Sequence, residues 1–265
     1  MTLADTTSPL AGQAALVTGA SRGLGRAIAL RLARQGAAVC LNYRRREDAA
    51  RSAVDEIREA GGRAVAVRAD VADPKQVEAL VERAAAELGP PSILVNNAGI
   101  ALDVTLDDFD PGRLDAMRRT NVDAVIHTIR AVVPSMKVRR YGRIVNISSV
   151  AAHGTTLPGT TFYAATKAAV AVLTRRFAME LGPHGITVNA VAPGFILTDM
   201  VKEGRTEADL HDAVARLSDR AMVRRVGAPE DIAHAVAFLA SPESSFVTAQ
   251  ILTVDGGRMD YIGHS

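Results

Sequence analysis

Tryptophan is missing from this chain, and the other aromatics are few: six Phe and four Tyr in 265 residues. The core must therefore be aliphatic. A single cysteine, Cys40, excludes an intramolecular disulfide; lying in an apolar run, it reads as a small buried hydrophobe. No stretch resembles a signal peptide or a membrane span, so a soluble, reducing, cytoplasmic setting is expected. Excess charge of one sign is also lacking. A net charge of +2 is too small to argue for nucleic acid or membrane binding. No metal ion is expected. What is present is globular in composition, with 48% hydrophobic and 23% charged residues, and long enough to bury one full α/β core.

Short aliphatic runs alternate with amphipathic ones along most of the chain. Strands are predicted at 14–17, 38–41, 64–67, 93–95, 143–147, 186–191 and 251–254. Helices are predicted at 24–34, 47–60, 74–88, 111–136, around Tyr163 and Lys167, and at 229–239. Asp73 is placed as N-cap, with Pro74 as the first helical residue. Short apolar runs joined by helix-length segments indicate βαβ units. The fold class is therefore α/β: one doubly wound, Rossmann-type domain over 11–265 with a mostly parallel sheet. Residues 1–10, polar and Thr-rich, read as a flexible tail. The alternation stops over 198–227, where charged residues dominate, and this stretch reads as a partly helical insertion lidding the site.

The first strand runs directly into Thr18-Gly19-Ala20-Ser21-Arg22-Gly23-Leu24-Gly25 and then a helix. Glycines let a backbone turn sharply and approach a pyrophosphate, to which the helix N-terminus offers free N–H groups. The spacing is G-x-x-x-G-x-G, not the G-x-G-x-x-G of most dinucleotide folds. After the second strand comes Asn42-Tyr43-Arg44-Arg45-Arg46, with no acid before Glu47. A carboxylate there would bind the ribose 2′-hydroxyl of NAD, whereas arginine accommodates the 2′-phosphate of NADP. NADP(H) is expected, with Arg44 and Arg22 as discriminators.

Tyr163 and Lys167 stand four apart in an alanine-rich stretch, on one face of a helix. An adjacent cation favours the phenolate and would make the phenol a better proton donor. Carbonyl reduction requires such a donor, because the oxygen gains a proton as the carbon gains hydride.

Taken in order, Thr18-Gly19-x-x-x-Gly23-x-Gly25, Asn96-Asn97-Ala98-Gly99, Asn121, Ser149, Tyr163-x-x-x-Lys167 and Pro193-Gly194 resemble the motifs of the short-chain dehydrogenases/reductases. The resemblance runs from about Ala11 to Gly257. Within that family the chain looks most like the bacterial 3-oxoacyl-[acyl-carrier-protein] reductases, above all over 19–29, 185–195 and 235–241. The resemblance implies a catalytic tetrad of Asn121, Ser149, Tyr163 and Lys167, with Ser148 as the rival serine. Asn121 would hold a water linking Lys167 to solvent. It implies cofactor contacts at Gly19, Ser21, Arg22, Gly23, Leu24, Gly25 and Arg44, at Asp70 and Val71 on the adenine, and at Asn96 beside the adenosine ribose. Further contacts fall at Ala98, Gly99, Pro193 and Gly194, at Ile196 and Thr198 flanking the nicotinamide carboxamide, and at Tyr163 and Lys167. The Ser149-to-Tyr163 interval is one residue longer than in typical relatives, so the wall around 153–161 is expected to differ; His153 reads as a loop residue.

The substrate stays open at this level. A 3-oxoacyl thioester, linked to acyl carrier protein or CoA, is one reading, and a small ketone, quinone or polyol reduced by the same mechanism is another. A non-catalytic dinucleotide sensor is the third. An acidic carrier would meet cations beside the entrance. Lys137, Arg139 and Arg140 are candidates, although a helix C-terminus accounts for them as well. His184 stands where carrier-acting relatives have arginine. The resemblance also implies a homotetramer, with Ala168, Ala169, Val170, Val172 and Leu173 offering a possible apolar face.

Overall fold

A computed structural model describes residues 8–154, 157–198 and 206–258. Seven strands form one sheet in the order β3-β2-β1-β4-β5-β6-β7: β1 Ala14–Val17, β2 Ala38–Tyr43, β3 Ala64–Arg68, β4 Ile93–Asn96, β5 Gly142–Ile147, β6 Ile186–Pro193 and β7 Ile251–Val254. All the pairings are parallel. Helices cover both faces, as parallel strands buried on two sides require. The order reverses between β1 and β4, and the C-terminal strand ends open there into the crevice where such sheets bind ligands.

Alternate side chains of each strand enter opposite cores. Ala15 and Val17 of β1 join a cluster with Ile28 and Leu32 of α1 (Gly23–Arg34), Val54 and Ile57 of α2 (Glu47–Glu59), and Ile232 and Val236 of a late helix, Pro229–Ala240. Leu16, between them, joins Leu80 of α3 (Pro74–Leu88), Ile129 and Val132 of α5 (Ala124–Arg139) and Val170 of α6 (Thr161–Leu181). Each buried Val, Leu or Ile side chain among these contributes about 1.5–3 kcal/mol of transfer free energy.

Helix starts follow local chemistry. Asp73 caps α3 by accepting from the N–H groups of Lys75 and Gln76, and Asp110 caps α4 (Pro111–Arg118) in the same way. Thr206 caps α7 (Glu207–Asp219) in a capping box with Asp209. The closing helix, Pro229–Ala240, is α8. In contrast, Arg22 at the start of α1 makes no side-chain cap, and the first turn carries no acid.

Two expectations change. The helix predicted over 111–136 is α4 and α5 joined by a π-helical turn, Arg119–Asp123, which carries Asn121 inward. Leu10, expected in the flexible tail, is fully buried, and its N–H donates to the Gln35 carbonyl at 2.9 Å. The tail's first seven residues lie outside the described residues. Within the 198–227 insertion, α7 is present, and 199–205 lie outside the described residues. Its far side is tied down, with Met222 and Val223 N–H groups donating to the Gly257 and Gly256 carbonyls.

Candidate active site

The glycine turn after β1 is shaped by contacts that no larger residue would allow. A Cβ on Gly25 would collide with the Gly19 carbonyl and stand 2.5 Å from Asn97 Nδ2; one on Gly19 would lie 3.0 Å from Ala98 Cα. Gly19 also has φ +62° and Gly23 φ +54°, both in the left-handed region that glycine enters freely.

Three polar side chains hold this turn against its neighbours. Thr18 Oγ1 accepts from the N–H groups of Asn97 and Ala98, both at 3.0 Å. Asn97 Nδ2 donates back to the carbonyls of Thr18 (2.8 Å) and Gly19 (3.0 Å). From β2, buried Asn42 accepts from Gly19 N–H at 3.2 Å and donates to the Ala69 carbonyl at 3.1 Å. An unsatisfied buried donor costs about 1–3 kcal/mol, so the three strand ends are held in fixed relation. Sequence alone points to no role for these three side chains. Their signal is polarity at positions flanking apolar runs, most plainly Asn42 after Val39-Cys40-Leu41.

Every predicted site residue except Asn96 and Asn121 lines one cleft of about 1090 Å³ along the strand ends. At one end, Arg44 pairs with Asp70 at 3.3 Å, and Arg22 and Ser21 stand in the glycine turn. At the other end lie Ser149, Tyr163 and Lys167. Asn96 is turned away from the cleft: it donates to Asn146 Oδ1 at 2.9 Å and accepts from Thr128 Oγ1 at 2.7 Å, bonding within the core. Its neighbour Asn97 lines the cleft instead.

Asn121 lies beneath the cleft, only 1% exposed. Its side chain accepts from Ile100 N–H (2.8 Å) and donates to the Ile100 carbonyl (2.9 Å) and Thr166 Oγ1 (3.0 Å). It thus ties the loop after β4 to α6. A Cβ on Gly99 would come within 3.4 Å of both Asn121 Oδ1 and Lys167 Nζ, so only glycine leaves this junction uncrowded.

The two serines separate cleanly. Ser148 is buried and donates to the Lys167 carbonyl at 3.0 Å. Ser149 lines the cleft with Tyr163, and its Oγ accepts from Ala151 N–H at 3.1 Å. Lys167 is buried, donating to the Ile147 carbonyl at 2.8 Å with Nζ 5.8 Å from the Tyr163 ring centroid. Burial pulls its ammonium down to about 8. Burial pushes the Tyr163 phenol up, an effect that Ser149 partly offsets. The expected acidification by Lys167 is therefore not what sets the phenol; the lysine is held at the backbone, and desolvation prevails. Both effects favour the neutral forms, and a phenol that keeps its proton is still the species a reduction needs.

The proposed carrier-facing cations are elsewhere. Arg139 donates to the carbonyls of Pro90 and Pro91, both at 2.7 Å, and Arg140 to Pro183 at 3.2 Å. They, Lys137 and His184 precede β5 and β6, at the strand edge opposite the cleft. The six-residue β5 separates the two edges by roughly 20 Å. Among the described residues no cluster of His, Cys, Asp or Glu could hold a metal, and no helix is long and apolar enough to cross a membrane.

An uncapped helix N-terminus, a turn that only glycine can form and arginines at the far end of a long cleft fit a phosphorylated dinucleotide. Comparison with known proteins agrees. A family model described as "Enoyl-(Acyl carrier protein) reductase" matches residues 19–258. The short-chain reductase protein NovJ of Streptomyces niveus is 44% identical over 92% of this chain and 93% of its own. The 3-oxoacyl-[acyl-carrier-protein] reductase FabG of Staphylococcus epidermidis is 42% identical over 92% and 98%. A short chain dehydrogenase from Burkholderia cenocepacia, solved in complex with NADP, is 40% identical, with TM-score 0.85 over 94% of this chain and 99% of that one.

Proposed function

We propose that this chain, which belongs to the short-chain dehydrogenase/reductase family and is an NADP(H)-dependent oxidoreductase, reduces a 3-oxoacyl thioester to its 3-hydroxyacyl form. The observation that carries the reading is the meeting of Ser149, Tyr163 and Lys167 at one end of a cleft whose other end offers a phosphate cradle. When bound, the reduced nicotinamide supplies hydride to the carbonyl carbon. Ser149 donates a hydrogen bond to the carbonyl oxygen as charge develops there, and Tyr163 delivers the proton to that oxygen. Lys167 holds the nicotinamide ribose. Asn121 fixes Ile100 and Thr166 around them. Gly19, Gly23 and Gly25 admit the pyrophosphate, Arg44 and Arg22 take the 2′-phosphate, and Asp70 and Val71 meet the adenine. Thr198, with Ile196, flanks the carboxamide.

The FabG relative supports the thioester, and with it fatty acid biosynthesis in a cytoplasmic setting. A second reading, the same mechanism on a small ketone, quinone or polyol, is favoured by the cations lying at the opposite sheet edge. A dinucleotide sensor is the weakest reading, because it would have no use for Tyr163 and Lys167 together. Acyl carrier protein as the thioester's bearer, and an insertion over 198–227 that lids the pocket, belong to the same proposal.

The discriminating experiment follows NADPH oxidation with acetoacetyl-CoA, a carrier-linked 3-oxoacyl chain and a panel of simple ketones. Turnover of the thioesters at the highest kcat/KM is expected. Preference for a free ketone would replace the first reading by the second. Tight NADPH binding with no turnover of any carbonyl would leave the sensor.

A further inference from the structure

We propose that Asp70 sets how strongly the cleft discriminates in favour of a 2′-phosphorylated dinucleotide, by competing with that phosphate for Arg44. The proposal rests on Arg44 being the residue that takes the 2′-phosphate. Arg44 leaves the C-terminal end of β2 and Asp70 follows the end of the neighbouring β3, and their side chains pair at 3.3 Å at the wall of the cleft.

The two partners are not equally anchored. Asp70 Oδ1 accepts from Ala72 N–H at 3.0 Å, and the Asp70 N–H donates to Gln76 Oε1 at 2.9 Å. Gln76 is in turn held by Asp73, its Nε2 donating to Oδ2 at 2.9 Å. One residue back, the Ala69 carbonyl is bound by Asn42, which also holds Gly19. Asp70 is therefore part of the rigid frame of the turn, and Oδ2 is the oxygen it presents to Arg44. The guanidinium ends a long, flexible side chain, 47% exposed, and is the partner able to move.

A dinucleotide with a free 2′-hydroxyl leaves this pair intact. One with a 2′-phosphate must draw Arg44 away from Asp70 or share it, and must do so beside a carboxylate of its own sign. Asp70 thus penalises only the phosphorylated form. Any contact of Asp70 with the adenine is common to both forms and cancels from their ratio. Specificity here is a difference between two affinities, and the carboxylate holds that difference below what Arg44 alone would give.

The test measures, by titration calorimetry, the Kd of adenosine 2′,5′-bisphosphate and of adenosine 5′-monophosphate for the wild type, Asp70→Asn, Arg44→Ala and the double variant. Asp70→Asn keeps the Oδ1 acceptor; Asp70→Ser, also uncharged, serves if Asn disturbs folding. The preference for the bisphosphate should rise about two- to fivefold in Asp70→Asn, the range an exposed ion pair spans. It should fall in Arg44→Ala, and the gain from Asp70→Asn should shrink when Arg44 is absent. An unchanged or reduced preference in Asp70→Asn, with Arg44→Ala impaired, overturns the inference and leaves the role of Arg44 standing. A wild-type preference in Arg44→Ala overturns that role, and the inference with it.

Discussion

At the scale of single residues, burial decides the chemistry of this site more than proximity does. The i, i+4 spacing of Tyr163 and Lys167 was readable from sequence, and so was their shared helix face. That Lys167 would be drawn to the Ile147 carbonyl, and that desolvation would outweigh the lysine's field at the phenol, was not readable, because both depend on how α6 packs against β5. The consequence is a pH dependence. Lys167, pulled down to about 8, loses its proton well below the ~10.4 of an exposed lysine, whereas Tyr163 keeps its own. The kcat/KM for NADPH reports groups of the free enzyme; it should be level at neutral pH and fall as pH climbs through about 8. A profile level to pH ~10 would deny the ammonium a part in binding. Stability shifts the other way: above about 8 the unfolded chain retains a proton that the folded chain has lost, so this site makes the folded form more stable as pH rises toward ~10.4.

At the scale of elements, the features with local causes were legible. Asp73 caps α3 where it was placed, and the strand of apolar residues ending at Val17 passes straight into the glycine turn. The features with tertiary causes were not. The π turn that carries Asn121 matches no sequence period, and such turns occur frequently at functional sites. It coincides with three hydrogen bonds from one side chain to Ile100 and Thr166, residues 21 and 45 positions away. Asn96 and Asn97 are chemically identical neighbours; the alternation of side chains along a strand sends one to Asn146 in the core and the other to the cleft. The cations at the end of α5 matched a helix C-terminus as well as a docking surface; Arg139 and Arg140 instead bind carbonyls of the segments before β4 and β6, at Pro90, Pro91 and Pro183.

At the scale of the whole molecule, the doubly wound topology brings the ends of β1, β2, β3, β4, β5 and β6 to one crevice, so residues from 19 to 198 in sequence share a cleft. This convergence followed from the alternation of strands and helices, which is why most of the site could be foreseen. The molecule also exposes apolar side chains away from that cleft: Val172 and Met179 on α6, and Phe238, Phe246 and Leu252 around the edge strand β7. Of the α6 residues expected to offer an apolar face, Val172 is exposed whereas Val170 is buried in the core; the homotetramer is a proposal that rests on the family resemblance. Sedimentation should give a species about four times the 27.9 kDa chain mass, and a monomer would remove that part of the account. The central claim is that the Tyr163 phenol gives its proton to the carbonyl oxygen. It is tested most directly by Tyr163→Phe, assayed with whichever carbonyl the wild type turns over fastest, alongside NADPH binding by fluorescence. The account predicts kcat lowered by at least ~10²-fold with NADPH still bound; turnover at the wild-type rate would contradict it.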